Sequence, residues 1–493
     1  MRLSLITSKS AEYMVKRVVD SYKNDNIDLN VIALPVPVIS ILDTLTISRI
    51  IERKKNILEE LMKSDIIILP GLVRGSSEEI ERIVKRDVYK GPKSLGNLSY
   101  VLDFIEKGGK LDKLKSAEEV LGEITPRLEY KKAFSISGVD IPLRGPPVVL
   151  VTEIDPSIAV EKVEKISKRY VSDGANILII GSTINSEIME TIKKIRIAKK
   201  ASVPIIVEAT THSQIESFLK EGIDGISIAA EDALKYIDYF PRGITLIIGS
   251  REFRYIKAAY ESLSKRDINI IIDPVVGMPC LDFMESLGRY IRISKNIEAP
   301  LLFSAADAVE EIEADTHGLH ALLASMAVEI GASLYLVVEE SYKSYRATAE
   351  AREALRVAET ACSLKSSPRG LYSNLLILKQ AKRPMEIQKK SAEAIGYIPP
   401  KYSSDEYVQI NVDHEEKVII VTYKKGGKEV FSLKGSHALS LARELIKRAY
   451  LSKEHIAYIG YELSKAEIAL MLGKTYIQDE PIISVPWRSE SNE

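Results

Sequence analysis

INIIIDPVVGMP, residues 268–279, decides how this 493-residue chain is read. Four isoleucines in five positions describe a strand covered on both faces, since a half-exposed strand would alternate with polar residues. Asp273 ends the run, and Pro274 cannot extend a hydrogen-bonded ladder. A carboxylate at the mouth of a buried strand has no packing use there, so its position calls for a hydrogen-bond donor or a cation.

Runs of the same kind lie on either side. They are PVVLVTE (147–153), ANILIIG (175–181), VPIIVEA (203–209), DGISIAA (224–230), GITLIIGS (243–250), APLLFSA (299–305) and ASLYLVVEE (332–340). Amphipathic stretches such as SIAVEKVEKISKRYV fill the gaps. With 268–273 the strands number eight, which is the count that closes a (β/α)8 TIM barrel over residues 147–365. An open doubly wound sheet has the same local pattern, and the uninterrupted count favours the barrel.

The flanks read differently. Residues 1–125 alternate strands (2–8, 29–38, 65–71) with helical patterns (10–23, 46–63), which implies an N-terminal parallel α/β domain. No GxGxxG follows the first strand, so there is no dinucleotide fingerprint. Residues 126–146 are polar and turn-rich and read as a connector, and 366–396 as a linker with one short helix. Residues 397–487 read as a C-terminal α+β domain, a three-stranded meander turned at Gly426–Gly427 and followed by two helices, with Ser436 as N-cap of the first. The tail WRSESNE is expected to fray.

Bulk numbers exclude several classes. The 68 basic and 69 acidic residues leave a net charge of −1, which argues against nucleic-acid and anionic-membrane partners. No run reaches the ~18 apolar residues of a membrane span, and the N-terminus lacks a secretory h-region. Two cysteines without a CxxC pair fit a reducing, cytoplasmic location. Abundant Lys, Glu and Ile lean toward a thermophilic or archaeal source.

Chemistry in such barrels sits at the C-terminal strand ends. There the chain places Glu153, with Asp155 beyond it, then Glu208, Asp273, Glu339 and Glu340. This acidic ring suits a hard divalent cation or a ligand rich in N–H donors, such as a 2-amino-4-oxopyrimidine ring. Lesser signals are His317 and His320 on one helical face, Cys280 in the loop after 273, and LVRGSSEEIE (72–81) as an anion seat.

IIIDPVVGMP resembles the Asp-Pro-Gly strand of pterin-binding barrels, the dihydropteroate synthases and methyltetrahydrofolate methyltransferases. GANILIIGST and VPIIVEATTHSQIESFLKEGIDGISI are similar to their second strand and to their third-to-fourth unit. The blocks EEIEADTHGLHALLASMAVEIGASLYLVVEES and HIAYIGYELSKAEIALMLGKTYIQDE extend the likeness to archaeal dihydropteroate synthase-related proteins over nearly the whole chain.

The resemblance implies that Asp273 and Glu208 face the pterin ring, joined by Ser227. It implies that Glu153 also lines the pterin site and helps hold Mg2+ and a diphosphate. Ile179 stands where synthases carry an Asp, and SAADAVEE follows strand seven without their Lys. Diphosphate departure calls for positive charge, and Lys343 and Arg346 are the cations nearest the end of strand eight. Three functions stay open: a transferase joining a reduced, diphosphate-activated pterin to an arylamine in methanopterin- or folate-type coenzyme synthesis, a pterin-dependent methyl-transfer protein, and a non-catalytic pterin-binding scaffold. A homodimer is expected by the same analogy.

Overall fold

The structure is a computed structural model, and it describes residues 1–22, 26–93, 95–121, 128–363, 365, 367–368, 375–379, 395–396, 398 and 405–483. Most of the expected 366–396 linker, and the tail from 487, lie outside the described residues. The chain divides into two compact units, Met1–Ala381 and Lys382–Glu493.

The first unit opens with β1 (Arg2–Ser8), β2 (Asp28–Leu34), β3 (Ile66–Leu69) and β4 (Asp87–Lys90), all parallel in the order β2-β1-β3-β4. Strand β4 was not expected, because its four residues are framed by charges and a Gly-Pro turn and show no apolar run. The helices here are α1 (Glu12–Ser21), α2 (Thr44–Arg53), α3 (Lys55–Leu61), α4 (Glu78–Val84), α5 (Leu98–Glu106) and α6 (Ala117–Leu121). The single helix expected over 46–63 is two, broken at Lys54, whose φ of −112° and ψ of 83° leave the helical region. Alternate residues of β1 face opposite layers. Leu3 and Leu5 meet α1 and α5, while Ile6 meets α2 and α4.

The span expected to be a connector is a β-hairpin, β5 (Lys132–Ile136) and β6 (Val139–Pro142). Its Ile136 and Ile141 are buried among Val149, Ile177, Leu302 and Leu334, at the N-terminal end of the barrel strands. Arg144 anchors the chain beyond it, donating to the carbonyls of Ile297 at 2.7 Å and Ser294 at 3.1 Å, and to that of Ala299.

The barrel strands are β7 (Val149–Ile154), β8 (Ile177–Ile180), β9 (Ile205–Glu208), β10 (Gly225–Ala229), β11 (Thr245–Gly249), β12 (Asn269–Asp273), β13 (Leu302–Ser304) and β14 (Leu334–Val338). All pair in parallel, in sequence from β7 to β12, with β14 joining β7 to β13. The ring closes between β12 and β13 through a bridge from Ile272 to Leu301, where the Ile272 N–H donates to Pro300 O at 2.9 Å. That closure removes the open-sheet alternative.

Around the strands run α7 (Val160–Ser172), α8 (Ile188–Ala198), α9 (His212–Leu219), α10 (Ala230–Lys235), α11 (Phe253–Leu263), α12 (Phe283–Asn296), α13 (Ala306–Glu310), α14 (Thr316–Ile330) and α15 (Ala347–Ser363). Outward strand residues such as Leu178, Val207, Leu246 and Ile272 bury against these helices. Each such side chain contributes about 1.5–3 kcal/mol. No helix among the described residues is long and apolar enough to cross a membrane.

The second unit is an antiparallel meander, β15 (Glu406–Asp413), β16 (Val418–Lys425) and β17 (Lys428–Gly435), covered by α16 (Ala438–Arg448) and α17 (Lys453–Leu472). Gly426 and Gly427 both take positive φ, 56° and 74°, as a tight two-residue hairpin turn requires. Ser436 does not cap α16, whose N-cap is His437 with no side-chain bond. Ser452 caps α17, accepting from the His455 N–H at 3.1 Å.

Candidate functional site

The barrel interior is packed by Val149, Val151, Ile177, Ile179, Ile206, Ile247, Ile271, Leu302, Leu334 and Leu336. Since side chains alternate along a strand, the next inward positions toward the C-terminal end are Glu153, Gly181, Glu208, Gly249, Asp273, Ser304 and Val338. Three of these are carboxylates resting on an isoleucine floor. Strand register places Ser227 level with Glu208, Gly249 level with Asp273, and Ile179 and Val338 level with Glu153. The four ring-facing residues expected from sequence thus share one end of the barrel.

Each carboxylate is held in its own way. One Asp273 oxygen accepts the Val275 N–H at 2.8 Å and the Tyr290 hydroxyl at 3.3 Å. Val275 has a φ of 59°, unusual for a β-branched residue, so the turn that aims its N–H is strained. Arg289 clamps that turn, donating to Pro274 O at 3.2 Å and Val275 O at 2.9 Å. Glu208 accepts the Ser182 N–H at 3.2 Å. Glu153 lies over Gly181, where a Cβ would stand 2.6 Å from Glu153 Oε1 and 2.6 Å from Pro156 Cδ, so only glycine fits beneath it.

Burial and mutual repulsion raise all three proton affinities. Burial pushes Asp273 up to about 6, against the opposing pull of the Val275 N–H and the Tyr290 hydroxyl. Glu208 is raised by burial and by the nearby Asp273, partly offset by the Ser182 N–H. Glu153 is driven well above the ordinary carboxylate range, first by burial and then by Glu208 and Asp155. Asp307 and Glu340 at the rim are raised as well, burial being the main cause for each. Of the three, Glu153 is driven furthest toward its protonated form, by burial and its carboxylate neighbours.

Glu339 does not join the ring. As the neighbour of Glu340 it points the opposite way, is buried, and accepts the Arg346 and Thr348 N–H groups at 3.1 and 3.2 Å while pairing with Arg169 at 2.8 Å. The two cations expected at the diphosphate are both engaged elsewhere. Lys343 donates to Ile312 O at 3.0 Å and to Glu310 O, and lies 3.8 Å from Glu313. Arg346 pairs at 2.8 Å with Asp173, just beyond the C-terminal end of α7. The cations that bear on the ring are ones the sequence reading did not single out. Arg251 holds down the Asp307 carboxyl and Arg289 that of Asp273. Arg251, Arg254, Arg289 and Arg292 line a hollow between the start of α11 and one face of α12.

Glu153, expected to help hold Mg2+, stands at the mouth with Glu208 and Asp273. Among the described residues no three Asp, Glu, His or Cys side chains gather as a metal site, and Mg2+ commonly takes only one or two protein carboxylates.

The lesser signals resolve into structure. His320 is buried, its Nδ1 3.0 Å from the Tyr335 hydroxyl, and burial lowers its pKa to about 4. Arg74 donates to Ile41 O at 3.3 Å, and α4 behind it has only seven residues. Cys280 is an exposed loop residue. Glu462 and Lys465 of α17 form a buried pair at 2.7 Å.

Residues 405–479 match the family model described as PterinBD-DUF4346. An uncharacterized protein of Methanocaldococcus jannaschii is 26% identical over 523 aligned positions, covering 97% of this chain and 98% of that protein. The thiamine-phosphate synthase of Methanococcus maripaludis (strain S2 / LL) is 27% identical over 147 positions, 27% of this chain and 70% of that protein. Among solved structures, the dihydropteroate synthase of Burkholderia cenocepacia complexed with 7,8-dihydropteroate is 14% identical, with a TM-score of 0.39, covering 48% of this chain and 99% of that one. The chain is thus similar over nearly its whole length to an archaeal protein, and in its C-terminal part to a family described by a pterin-binding domain.

Proposed function

We propose that the protein binds a reduced pterin at the barrel mouth and joins it to an arylamine, as a dihydropteroate synthase-like transferase of methanopterin- or folate-type coenzyme synthesis. The observation that carries this reading is the inward convergence of Asp273 and Glu208 over an isoleucine floor. An ionised Asp273 accepts paired N–H groups from the pyrimidinone edge, and Glu208 and Ser227 meet the ring from β9 and β10.

In the reaction the amine nitrogen attacks the pterin CH2 carbon. The C–N bond forms as the C–O bond to diphosphate breaks, the diphosphate leaves with the electron pair, and the amine proton passes to solvent. Glu153 in its protonated form offers an O–H to the leaving oxygen. Positive charge comes from Arg251, more than half exposed, once it loosens its ion pair with Asp282 at 3.3 Å. Lys343 and Arg346, the cations first expected there, would have to give up their present partners to serve.

The test is calorimetric titration with 6-hydroxymethyl-7,8-dihydropterin, followed by release of diphosphate when its diphosphate ester and an arylamine are supplied. Affinity is expected to fall as pH drops through about 6, because protonation of Asp273 removes an acceptor. An affinity flat from pH 5 to 8 would exclude Asp273 as the ring ligand. Gly181→Ala should displace Glu153 and slow diphosphate release by about 100-fold, and through Ser182, whose N–H holds Glu208, should weaken pterin binding by a smaller factor. Pterin binding without diphosphate release would favour methyl transfer, a second reading supported by the prior engagement of Lys343 and Arg346. Methyl transfer to cobalamin would then decide it.

A further inference from the structure

The N-terminal sheet has a ligand-sized cavity that the barrel chemistry does not use. In the order β2-β1-β3-β4 the chain leaves β1 toward one edge and comes back to β3 on its other side. Where a parallel sheet reverses in this way, the loops at the C-terminal strand ends part and leave a crevice. Here the crevice is a cavity of about 270 Å³ over the ends of β1 and β3. That is near the lower end for small-molecule sites, roughly 300–1,000 Å³. Its walls are mostly apolar, with Met14, Val38, Leu72 and Leu98 among them, and the lysine at its rim, Lys93, is paired with Glu119 at 2.6 Å.

Two features give the cavity a polar end. Thr7 lines it at only 3% exposure, and its hydroxyl has no hydrogen-bond partner among the described residues. The Thr7 side chain is buried except where it meets the cavity, so its hydroxyl is free to bond a group placed there. Next to it α1, ten residues long, has Ala11 as its N-cap and therefore no side-chain cap. Ser10, the residue before, donates to Pro37 O. The first N–H groups of α1, at the positive end of its dipole, are therefore left without a side-chain acceptor. The acidic residue of that turn, Glu12, is already neutralised by Lys16 at 2.6 Å.

We propose that this crevice binds a small monocarboxylic acid with a compact apolar body. The carboxylate accepts from the Thr7 hydroxyl and from the first turn of α1, and the body lies against Met14, Val38 and Leu72. A polyanion such as a nucleotide does not suit walls this apolar. The site is independent of the pterin reading and stands or falls apart from it.

Methyl NMR on the full chain labelled with [methyl-13C]methionine tests this. The chain has nine methionines, and Met14→Leu identifies the Met14 signal. Benzoate or isovalerate is expected to shift the Met14 methyl saturably and leave the others in place. Benzyl alcohol, of similar size but uncharged, should bind about tenfold more weakly, as should benzoate to Thr7→Val. Thr7→Val should melt at the same temperature as the parent or higher, since it loses only an unbonded hydroxyl. Leu72→Trp at the rim should fill the cavity and abolish the shift, a second variant that leaves Thr7 intact. A Met14 signal unmoved by both acids would overturn the proposal. So would equal binding of benzyl alcohol, or an undiminished response in Thr7→Val or Leu72→Trp.

Discussion

Asp273→Asn is expected to weaken binding of a reduced pterin by about 10- to 100-fold and, at pH 7, to make the empty protein more stable. The first effect follows from replacing an ionised acceptor of two N–H groups by an amide that can accept only one, a loss of roughly 1.5–3 kcal/mol. The second follows from burial. Asp273 titrates at about 6 in the folded chain, against an ordinary value of 3.8. Below pH ~4 the folded and unfolded states both hold the proton and nothing is lost. Between ~4 and ~6 the folded state keeps a proton that the unfolded state has released, so stability falls as pH rises. Above 6 the deficit is constant, on the order of 3 kcal/mol. Asparagine has no charge to bury and keeps an oxygen for the Val275 N–H, so the variant escapes that deficit at pH 7 and gains nothing at pH 4. Urea unfolding at the two pH values measures the difference directly. A variant destabilised equally at both would mean that Asp273 is a structural acceptor.

Arg169→Met should cost about 3–5 kcal/mol of stability. Its partner Glu339 has a side chain only 2% exposed and holds the start of α15 through the Thr348 N–H and hydroxyl, at 3.2 and 2.9 Å. Without the guanidinium 2.8 Å away, a carboxylate stays buried with no cation. The double variant Arg169→Met, Glu339→Gln should recover most of the loss, because the charge that made it expensive is gone. Thermal melts of the two would settle the point, and a double variant no better than the single would locate the loss in packing, since Arg169 also lies over the Tyr170 and Tyr345 rings at 5.2 and 4.9 Å.

The barrel was legible because strands covered on both faces spell themselves out as apolar runs, and 268–273 is the plainest of them. The depth of Asp273 and Glu208 could be read in the same way, as the inward positions that follow Ile271 and Ile206. Glu339 and Glu340 show where reading the ends of strands is too coarse: neighbours on a strand face opposite ways, so one of them had to leave the ring. The direction of a long side chain was not legible at all. Lys343 and Arg346 lie close in sequence to the eighth strand, yet their charges are drawn to the carbonyls behind α13 and to Asp173. Arg251, in a loop, and Arg289, on α12, reach the mouth from stretches that carry no motif. The hairpin β5–β6 was legible and passed over, since Phe134, Ile136, Val139 and Ile141 alternate with polar residues on both sides of a Ser-Gly turn.

That hairpin bears on where the barrel can be cut. Sequence rhythm puts its first residue near 147, but a piece begun there would lack Ile136 and Ile141, which lie among the lower core residues of the barrel. It would present that end to water and be prone to self-association. A piece begun at Lys131 would bring its own stopper. Recombination or domain grafting that respects this boundary can move the barrel as a working part, and one that takes the eight strands alone cannot.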